Sequence, residues 1–352
     1  MIVFFTVAVS IAKAQGDYSE SARYVPRDLS QLIPQKKGKK KQSPPPNVGV
    51  PGAPTVSSSI SIPISVLDPK GVRIPNLKKE DFKVFIGDKE AEIKSFAWTT
   101  GPMNVVLLID ASPSAAHKPQ EVQQITSLLV DQFVPEDKIM LAEFSDRLNV
   151  LTDFTTDRDV LRKAIGKFPA GDGTSLYDSV AKLFSDRILT ANSNTVVVLV
   201  TDGVDTTSFK QDYAGSISAV EGSQMSVFPI YLDTLSANAQ PAMPAPGSWQ
   251  AVFANIPGVY VPQPRYQAQD MTKAYEVGQL YLSDLVFATG GTAFTVPGFR
   301  ATPAEIAKHI HERYFITVQP SDSLVSELRY PVRVRVNIPN VAVIARGSYI
   351  AK

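Results

Sequence analysis

The segment Asn104-Val105-Val106-Leu107-Leu108-Ile109-Asp110-Ala111-Ser112-Pro113-Ser114 is an apolar run that ends in a carboxylate and two hydroxyls. An apolar run without alternation is typical of a strand that is covered on both faces, as in a parallel sheet. Ligand sites in such sheets lie at the carboxyl ends of the strands. Asp110, Ser112 and Ser114 offer only hard oxygen donors, which suit a divalent cation such as Mg²⁺. The segment therefore predicts a buried strand that carries oxygen ligands to one edge of a sheet.

A second apolar run, Thr195 to Val200, has the same design, because it ends in Thr201-Asp202-Gly203-Val204-Asp205. Two such strands would place Asp110 and Asp202 on one rim. Strand and helix patterns alternate through the middle of the chain, which predicts an α/β fold with a doubly wound, mostly parallel sheet. The predicted strands are 104–110, 138–144, 149–155, 195–200, 226–233 and 292–296, and the predicted helices are 122–133, 157–168, 175–189, 271–288 and 302–313.

The two flanks of this region are predicted to be β structure, because apolar and polar residues alternate in both. On the amino-terminal side, the hairpin turn is expected at Gly87-Asp88. Residues 55–100 contain too few strands to form a stable unit alone, and residues 314–352 contain unpartnered strand patterns. We therefore expect the two segments to pair into one β-sandwich. The predicted flanking strands are 60–66, 82–86, 91–98, 332–338 and 341–350.

The composition excludes several classes of protein. Lys and Arg number 35 against 34 Asp and Glu among 352 residues, so the net charge of +1 favours neither nucleic acid nor an anionic membrane as a partner. Cysteine is absent, which excludes disulfides and thiol catalysis. Length and apolar content allow sizeable cores without such crosslinks.

The amino-terminal region predicts an exported protein. Residues 1–11 form a short apolar run, and Ala12-Lys13-Ala14 follows with the small-x-small pattern of signal-peptidase cleavage, so residues 1–14 are predicted to be a signal peptide. The run is too short to span a bilayer. Residues 15–54 are rich in lysine and proline and predict a disordered linker. A cysteine-free exported chain fits a bacterial periplasm, cell envelope or extracellular location.

Three separated features together resemble the von Willebrand factor type A (VWA) domain with a metal-ion-dependent adhesion site. They are the Asp-x-Ser-x-Ser pattern of Asp110, Ser112 and Ser114, Thr174 in a later loop, and Asp202 in a Thr-Asp-Gly turn. The resemblance covers roughly residues 103–313, with an insertion at 235–270. The flanking segments resemble those of bacterial exported proteins with a related domain, through Glu80-Asp81-Phe82 and Gly347-Ser348-Tyr349.

The resemblance implies a fold, a cofactor and a function. Ser112, Ser114 and Thr174 would bind the cation through hydroxyl oxygens, and Asp110 and Asp202 directly or through water. The cation would be Mg²⁺, with Mn²⁺ or Ca²⁺ as alternatives, and an Asp or Glu carboxylate of a partner protein would complete its coordination. The protein would then be an adhesion-type binding module and not an enzyme.

Other interpretations remain open at this stage. Ser112 and Ser114 could cap the following helix, and Asp202 and Asp205 could be ordinary turn residues, although their joint occurrence favours a metal site. A divalent-metal hydrolase could use the same open site, but the sequence offers no convincing general base. A scaffold with a degenerate site is a third interpretation, which the full ligand set disfavours.

Histidine chemistry is not expected. His309 and His311 lie two apart on a predicted helix, so they cannot share a metal, and we predict surface positions for both. His117 follows Ser114 closely, but a serine triad lacks an evident third group.

The insertion at 235–270 contains aromatic residues among many prolines, and it follows a strand expected to end on the metal's side of the sheet. We predict that Trp249, Phe253 and Tyr260 contact the partner. The alternative is a lid that packs on its own domain.

Overall fold

The structure is a computed structural model that describes residues 18–21, 55–56, 59–99, 101–116, 119–166, 171–185, 194–234, 271–296 and 303–351. The predicted signal peptide, most of the predicted linker, His117 and the insertion at 235–270 lie outside these residues. The described strands are β1 Ser19–Glu20, β2 Thr55–Val56, β3 Ile60–Leu67, β4 Phe82–Ile86, β5 Lys89–Thr99, β6 Asn104–Asp110, β7 Lys138–Phe144, β8 Leu148–Thr155, β9 Thr195–Thr201, β10 Ser226–Leu232, β11 Phe294–Val296, β12 Arg313–Gln319, β13 Leu324–Val325, β14 Arg329–Val336, β15 Ala342–Ile344 and β16 Ser348–Ile350. The described helices are α1 Pro113–Ala116, α2 Pro119–Gln132, α3 Arg158–Ile165, α4 Leu176–Ser185, α5 Tyr213–Glu221, α6 Met271–Thr289 and α7 Pro303–His311.

The middle of the chain forms a six-stranded sheet in the order β11-β10-β9-β6-β7-β8. All neighbouring strands are parallel except β8, which pairs with β7 in the antiparallel direction at the edge. The apolar side chains of β6 alternate between two cores, with Val105 and Leu107 in one and Val106 and Leu108 in the other. Helices α2, α3 and α7 contribute to the first core, and α4, α5 and α6 contribute to the second. The predicted α/β fold with helices on both faces is therefore confirmed.

One helix of this region, α5, was not predicted. Its sequence contains Gly215 and two serines, which are poor helix formers, so the helical period of its apolar residues is weak. In the structure, Asp212 caps its amino end by accepting a hydrogen bond from the Gly215 N–H at 2.8 Å. Burial of Ile217 and Val220 against the sheet then compensates for the low propensity.

The flanking segments pair as the sequence predicts. One antiparallel sheet has the order β1-β14-β4-β5-β12-β3-β15, and β16 pairs with β14. Amino-terminal strands β3, β4 and β5 thus lie between carboxyl-terminal strands β12, β14 and β15, around a shared core that includes Ile62, Val84, Tyr314 and Val334. These strands are connected by one continuous series of hydrogen bonds, and the division into two facing sheets that defines a sandwich remains a prediction.

The prediction of a disordered linker over 15–54 is wrong for residues 18–21. Ser19 and Glu20 form β1, which pairs with Val336 and Arg335 of β14. The carboxylate of Glu20 lies 2.7 Å from Arg335 Nε and 3.2 Å from Arg333 Nε, so an ion pair reinforces the backbone pairing. Such a contact between residues 315 positions apart cannot be inferred from local composition.

The antiparallel sheet contacts the α/β region next to the amino end of β10. The buried Arg346 donates hydrogen bonds to the carbonyl oxygens of Ser223 at 2.7 Å and Glu221 at 2.9 Å. The Glu221 carboxylate in turn accepts hydrogen bonds from Arg329 and Ser348. Because these residues precede β10, this junction lies at the sheet edge opposite the carboxyl ends of the parallel strands.

Candidate functional site

The candidate site lies where the adjacent parallel strands β6 and β9 end. The register pairs Ile109 with Val200, so the two following residues, Asp110 and Thr201, are neighbours at the carboxyl edge. The Thr201 hydroxyl donates a hydrogen bond to Asp110 Oδ2 at 2.6 Å, and the Ser112 N–H donates to Asp110 Oδ1 at 2.9 Å. Both carboxylate oxygens of Asp110 are therefore held in fixed directions, on the rim that the sequence predicts.

Hydrogen bonds connect the two serines of the motif to Asp202 on the neighbouring strand. The hydroxyl oxygens of Ser112 and Ser114 are 3.0 Å apart, and Ser114 Oγ donates to Asp202 Oδ2 at 2.8 Å. The Val204 N–H donates to Asp202 Oδ1 at 3.0 Å. The structure thus brings together four of the five predicted ligands, namely Asp110, Ser112, Ser114 and Asp202. Ser114 and Asp202, which are hydrogen-bonded, are 88 residues apart in the sequence.

Both carboxylates are removed from solvent. Asp110 and Asp202 are each 1% exposed. Burial and the nearby Asp202 charge raise the pKa of Asp110, and burial raises the pKa of Asp202. Among the described residues, the groups that shift these two pKa values include no basic side chain. Two close, buried carboxylates without a compensating positive charge, surrounded by hydroxyl oxygens, form a donor set that a hard cation fits.

Thr174, the fifth predicted ligand, is held against the Asp202 turn through its backbone. Its N–H donates to Thr206 Oγ1 at 2.9 Å, and its carbonyl oxygen accepts from the N–H groups of Thr206 at 2.8 Å and Thr207 at 3.1 Å. The preceding Gly173 is required for this approach, because a Cβ atom there would lie 2.6 Å from Thr207 Cγ2. Thr174 therefore lies in a loop that is fixed to the chain that follows Asp202.

Sequence reasoning missed two residues that orient Asp202. Thr234 Oγ1 donates to Asp202 Oδ2 at 2.7 Å and lies 2.6 Å from the hydroxyl oxygen of Tyr275 on α6. The signal for Thr234 was available, because it follows β10, whose carboxyl end reaches the same edge as those of β6 and β9. Tyr275 carried no such signal, since its position depends on how α6 packs.

The backbone of α6 also contacts the Asp202 turn closely. Gly203 has a φ of +80°, which only glycine adopts readily, and a Cβ atom on it would lie 2.8 Å from the Gly278 carbonyl carbon. A Cβ atom on Gly278 would lie 2.7 Å from the Gly203 carbonyl carbon. The two glycines therefore let the helix and the turn approach at backbone distance.

Two further aspartates act as structural residues. The Asp178 carboxylate accepts hydrogen bonds from the N–H groups of Phe209, Lys210 and Gln211. Asp205 accepts from the Tyr177 N–H at 3.1 Å and from the Ser208 hydroxyl. This agrees with the turn interpretation of Asp205, and the two carboxylates together fix the loop that follows Asp202 to the start of α4.

The predicted surface position of the two histidines is wrong for His311. His311 is buried, and its Nε2 lies 2.8 Å from Asp137 Oδ2 while its Nδ1 lies 2.8 Å from the Ala307 carbonyl oxygen. His309 is half-buried, and burial together with the nearby Arg73 lowers its pKa to about 4. Both side chains lie in the packing around α7, a position that the two-residue spacing does not reveal.

Within the described ranges, no group of three or more His, Cys, Asp or Glu side chains is arranged to hold a metal ion. The candidate site is not such a group, since it has two carboxylates and its other donors are hydroxyls. No helix of the described residues is long and apolar enough to cross a membrane. The predicted partner-binding residues Trp249, Phe253 and Tyr260 lie outside the described ranges.

Comparison with known proteins supports the resemblance at the level of the domain. Residues 105–204 match the family model of the von Willebrand factor type A domain. This match spans β6 to the Asp202 turn and includes all five predicted ligands. No curated protein matches the chain.

Several solved structures are similar to the chain at low identity. An aerotolerance-related membrane protein from Bacteroides fragilis has 13% identity and a TM-score of 0.41, and the match covers 59% of this chain and 98% of that one. The conserved hypothetical protein BatB from Bacteroides thetaiotaomicron has 14% identity and a TM-score of 0.39, with 59% and 97% covered. A von Willebrand factor type A protein from Catenulispora acidiphila has 12% identity and a TM-score of 0.35, with 82% and 74% covered.

Proposed function

We propose that this chain is an exported, metal-dependent protein-binding module. In this proposal a Mg²⁺ ion is held by Asp110, Ser112, Ser114, Thr174 and Asp202, and it binds an Asp or Glu carboxylate of a partner protein. The observation that carries the proposal is the hydrogen-bonded group of two buried carboxylates and serine hydroxyls at the carboxyl edge of β6 and β9. The VWA domain match supports the choice of an interaction module.

The chemistry of the donors supports this assignment. When bound, Mg²⁺ would supply a positive centre with an open position for a carboxylate, because a site with few direct carboxylate ligands leaves the ion electrophilic. The chain's own residues orient the donors. Thr201 and the Ser112 N–H fix Asp110, and Thr234 and the Val204 N–H fix Asp202. A preorganised donor set lowers the cost of ordering side chains when the ion binds.

Export is proposed from the amino-terminal sequence alone. The apolar run and the Ala12-Lys13-Ala14 pattern support cleavage after Ala14 and a location of the mature chain outside the cytoplasm. Mass spectrometry of the protein recovered from the envelope or medium would test this directly. A mature chain that retains Met1 would contradict it.

Metal binding is tested by calorimetric titration of Mg²⁺ and by thermal unfolding with Mg²⁺ or EDTA. Saturating metal, at about a hundred times its dissociation constant, should add roughly 2.7 kcal/mol to the free energy of unfolding. Asp110→Ala should abolish both the binding and this gain. Asp153→Ala is the matched control, because Asp153 is an exposed carboxylate on β8.

Two results would contradict the proposal. Equal melting temperatures in EDTA and in Mg²⁺ would contradict a metal-dependent function. Turnover of an ester or phosphoester that requires both Mg²⁺ and Asp110 would identify the chain as a metal hydrolase.

A further inference from the structure

The loop that follows Asp202 presents an exposed aromatic side chain next to the candidate metal site. Phe209 is 69% exposed. Five large hydrophobic residues of the described ranges are exposed, and Phe209 is the most exposed of the five and their only aromatic. The other four are Val72, Leu128, Val150 and Val160. Lys210 Nζ lies 5.5 Å from the centre of the Phe209 ring, so an apolar surface and a positive charge are displayed together.

Single exposed apolar residues are common on protein surfaces and need no explanation by themselves. Phe209 differs because its backbone is held in place. The N–H groups of Phe209 and Lys210 each lie 3.1 Å from the Asp178 carboxylate, and the Gln211 N–H lies 2.6 Å from it. Hydrogen bonds therefore hold the backbone of this loop while most of the Phe209 side chain stays exposed to water, and exposure of apolar surface costs free energy.

The backbone of Phe209 also lies close to the loop of Thr174. Phe209 follows Thr207 by two residues, so their Cα atoms are separated by at most about 7 Å. The Thr207 N–H is bonded at 3.1 Å to the carbonyl oxygen of Thr174, one of the proposed ligands. A partner that covers a patch of about 800 Å² would therefore contact both the metal site and Phe209.

We propose that Phe209 and Lys210 form a docking surface for the protein whose carboxylate binds the metal; this inference rests on the proposed function. The expected occupant is a peptide segment that carries an apolar side chain near the metal-binding Asp or Glu, with additional acidic residues beside it. The apolar side chain packs on the Phe209 ring, and the extra negative charge faces Lys210. A rigidly held aromatic that is already exposed meets the requirements of an interface hot spot, because little conformational entropy is lost when it is covered.

The test uses the full chain and a displayed library of short random peptides that carry one fixed central Asp. The chain with Mg²⁺ should select peptides with aromatic or aliphatic residues close to the fixed Asp. Phe209→Ser should weaken binding of the selected peptides by about tenfold or more, as expected for an interface hot spot. Lys210→Glu should weaken binding less at high salt than at low salt, because the charge contribution is screened.

Val72→Ser is the matched control, because Val72 is 60% exposed but lies in the turn that follows β3, away from the candidate site. It should leave peptide affinity unchanged. All variants should keep the Mg²⁺ affinity of the unmodified chain, which shows that the site is intact.

The outcomes separate this inference from the proposed function. One outcome is that the peptides bind equally well in EDTA and to Asp110→Ala but bind Phe209→Ser more weakly. This outcome would support the docking surface and contradict the proposed metal-dependent function. Another outcome is that the peptides require Mg²⁺ but bind Phe209→Ser and Val72→Ser equally well. This outcome would support the metal site and overturn the docking surface. Failure of the unmodified chain to select any peptide would also overturn the docking surface.

Discussion

At the scale of single residues, the site depends on side chains that hold the proposed ligands as much as on the ligands. Asp202 Oδ2 accepts hydrogen bonds from both Ser114 and Thr234, and Thr234 also contacts Tyr275. Partners that orient a ligand commonly change metal affinity when they are removed, because the ligand must then be ordered at the moment of binding.

We therefore predict that Thr234→Val lowers Mg²⁺ affinity by roughly ten- to a hundredfold, although Thr234 is not a proposed ligand. Valine keeps the shape of the side chain and removes the hydroxyl. Thr126→Val is the control, because Thr126 is equally buried but its hydroxyl bonds only to the Val122 carbonyl within α2. Calorimetric titration of both variants would check this, and equal affinities would show that Thr234 has no role in ordering Asp202.

A second residue-scale prediction concerns pH. Burial lowers the pKa of His311, but the hydrogen bonds to Asp137 and to the Ala307 carbonyl outweigh it, so the pKa is raised from 6.5. A raised histidine pKa in the folded state stabilises the protein fully below the unfolded pKa, and this stabilisation is lost as the pH rises through the folded pKa. The free energy of unfolding should therefore decrease as the pH rises above about 6.5.

His311→Gln should remove this part of the pH dependence, measured by urea unfolding between about pH 6 and pH 9. His309→Gln is the comparison, because a folded pKa of about 4 lies below the unfolded value of about 6.5 and gives a contribution of the opposite sign. Its removal should steepen the decrease near pH 6 to 7 and leave it unchanged above about pH 7.5. A slope that is unchanged in His311→Gln would assign the pH dependence to other groups.

The site residues show how far local sequence reasoning reaches. Asp110 and Asp202 could be placed on one rim because each ends an apolar run and parallel strands end on the same edge. Thr234 follows the same rule, because it comes directly after the strand predicted over 226–233, so the sequence already contains the signal for it. The positions of the Tyr275 and His311 side chains depend on how helices pack against loops that are more than thirty residues away in the sequence. Thr234 and Tyr275, for example, are 41 residues apart. Patterns of spacing contain no information about such contacts.

At the scale of elements, patterns with strong apolar runs predicted their strands well, and patterns with weak periodicity did not. The buried strands β6 and β9 were predicted from runs without alternation, and α3 from its acidic start, where Asp157 accepts hydrogen bonds from Asp159 and Val160. Helix α5 was missed because glycine and serines weaken its helical pattern. The strand predicted over 341–350 is divided into β15 and β16, since Arg346 turns inward to the junction between them.

The contact between α6 and the Asp202 turn yields an element-scale prediction. Replacing glycine by alanine inside a helix usually stabilises it by up to about 1 kcal/mol. For Gly278→Ala we predict the opposite, a loss of about 1 to 3 kcal/mol, because the new Cβ would lie 2.7 Å from backbone atoms of Gly203. Relief of this clash must displace either α6 or the turn, so Mg²⁺ affinity should also fall.

Gly215→Ala in α5 provides the matched comparison. Its Cβ would lie 2.4 Å from Gln211 Oε1, which is the end of a flexible side chain that can move away. This variant should be neutral or more stable, and it should bind Mg²⁺ normally. Urea unfolding of both variants would check the contrast, and a Gly278→Ala chain that gains stability would show that the close approach is not required.

At the scale of the whole molecule, the two ends of the chain form one structural unit. The amino-terminal strands have their partners in the carboxyl-terminal segment, since β3 pairs with β12 and β15, β4 with β14, and β5 with β12. The sequence predicted this pairing from a shortage of strands at one end and unpartnered strands at the other. It could not predict β1 or the junction at Arg346, because both depend on ion pairs and hydrogen bonds between distant residues.

This arrangement also separates the candidate site from the antiparallel sheet. The junction at Glu221 and Arg346 lies beside the amino end of β10, and the site lies at the carboxyl ends of β6 and β9. The parallel sheet therefore separates the two, and changes in the antiparallel sheet should affect stability more than metal binding.

The last prediction tests this separation with a chain that is shortened after Arg313. Strand β3 would lose both of its neighbours, β12 and β15, and β4 and β5 would each lose one, so amides of residues 60–99 should lose their protection from hydrogen exchange. Residues of the parallel sheet should remain protected, because the strands and helices of its two cores all precede Arg313. Mg²⁺ binding should persist in the same sample, which would show that the α/β region is still folded. If residues 60–99 stayed as protected as in the full chain, the two ends would fold independently and the shared sheet would not be the source of their stability.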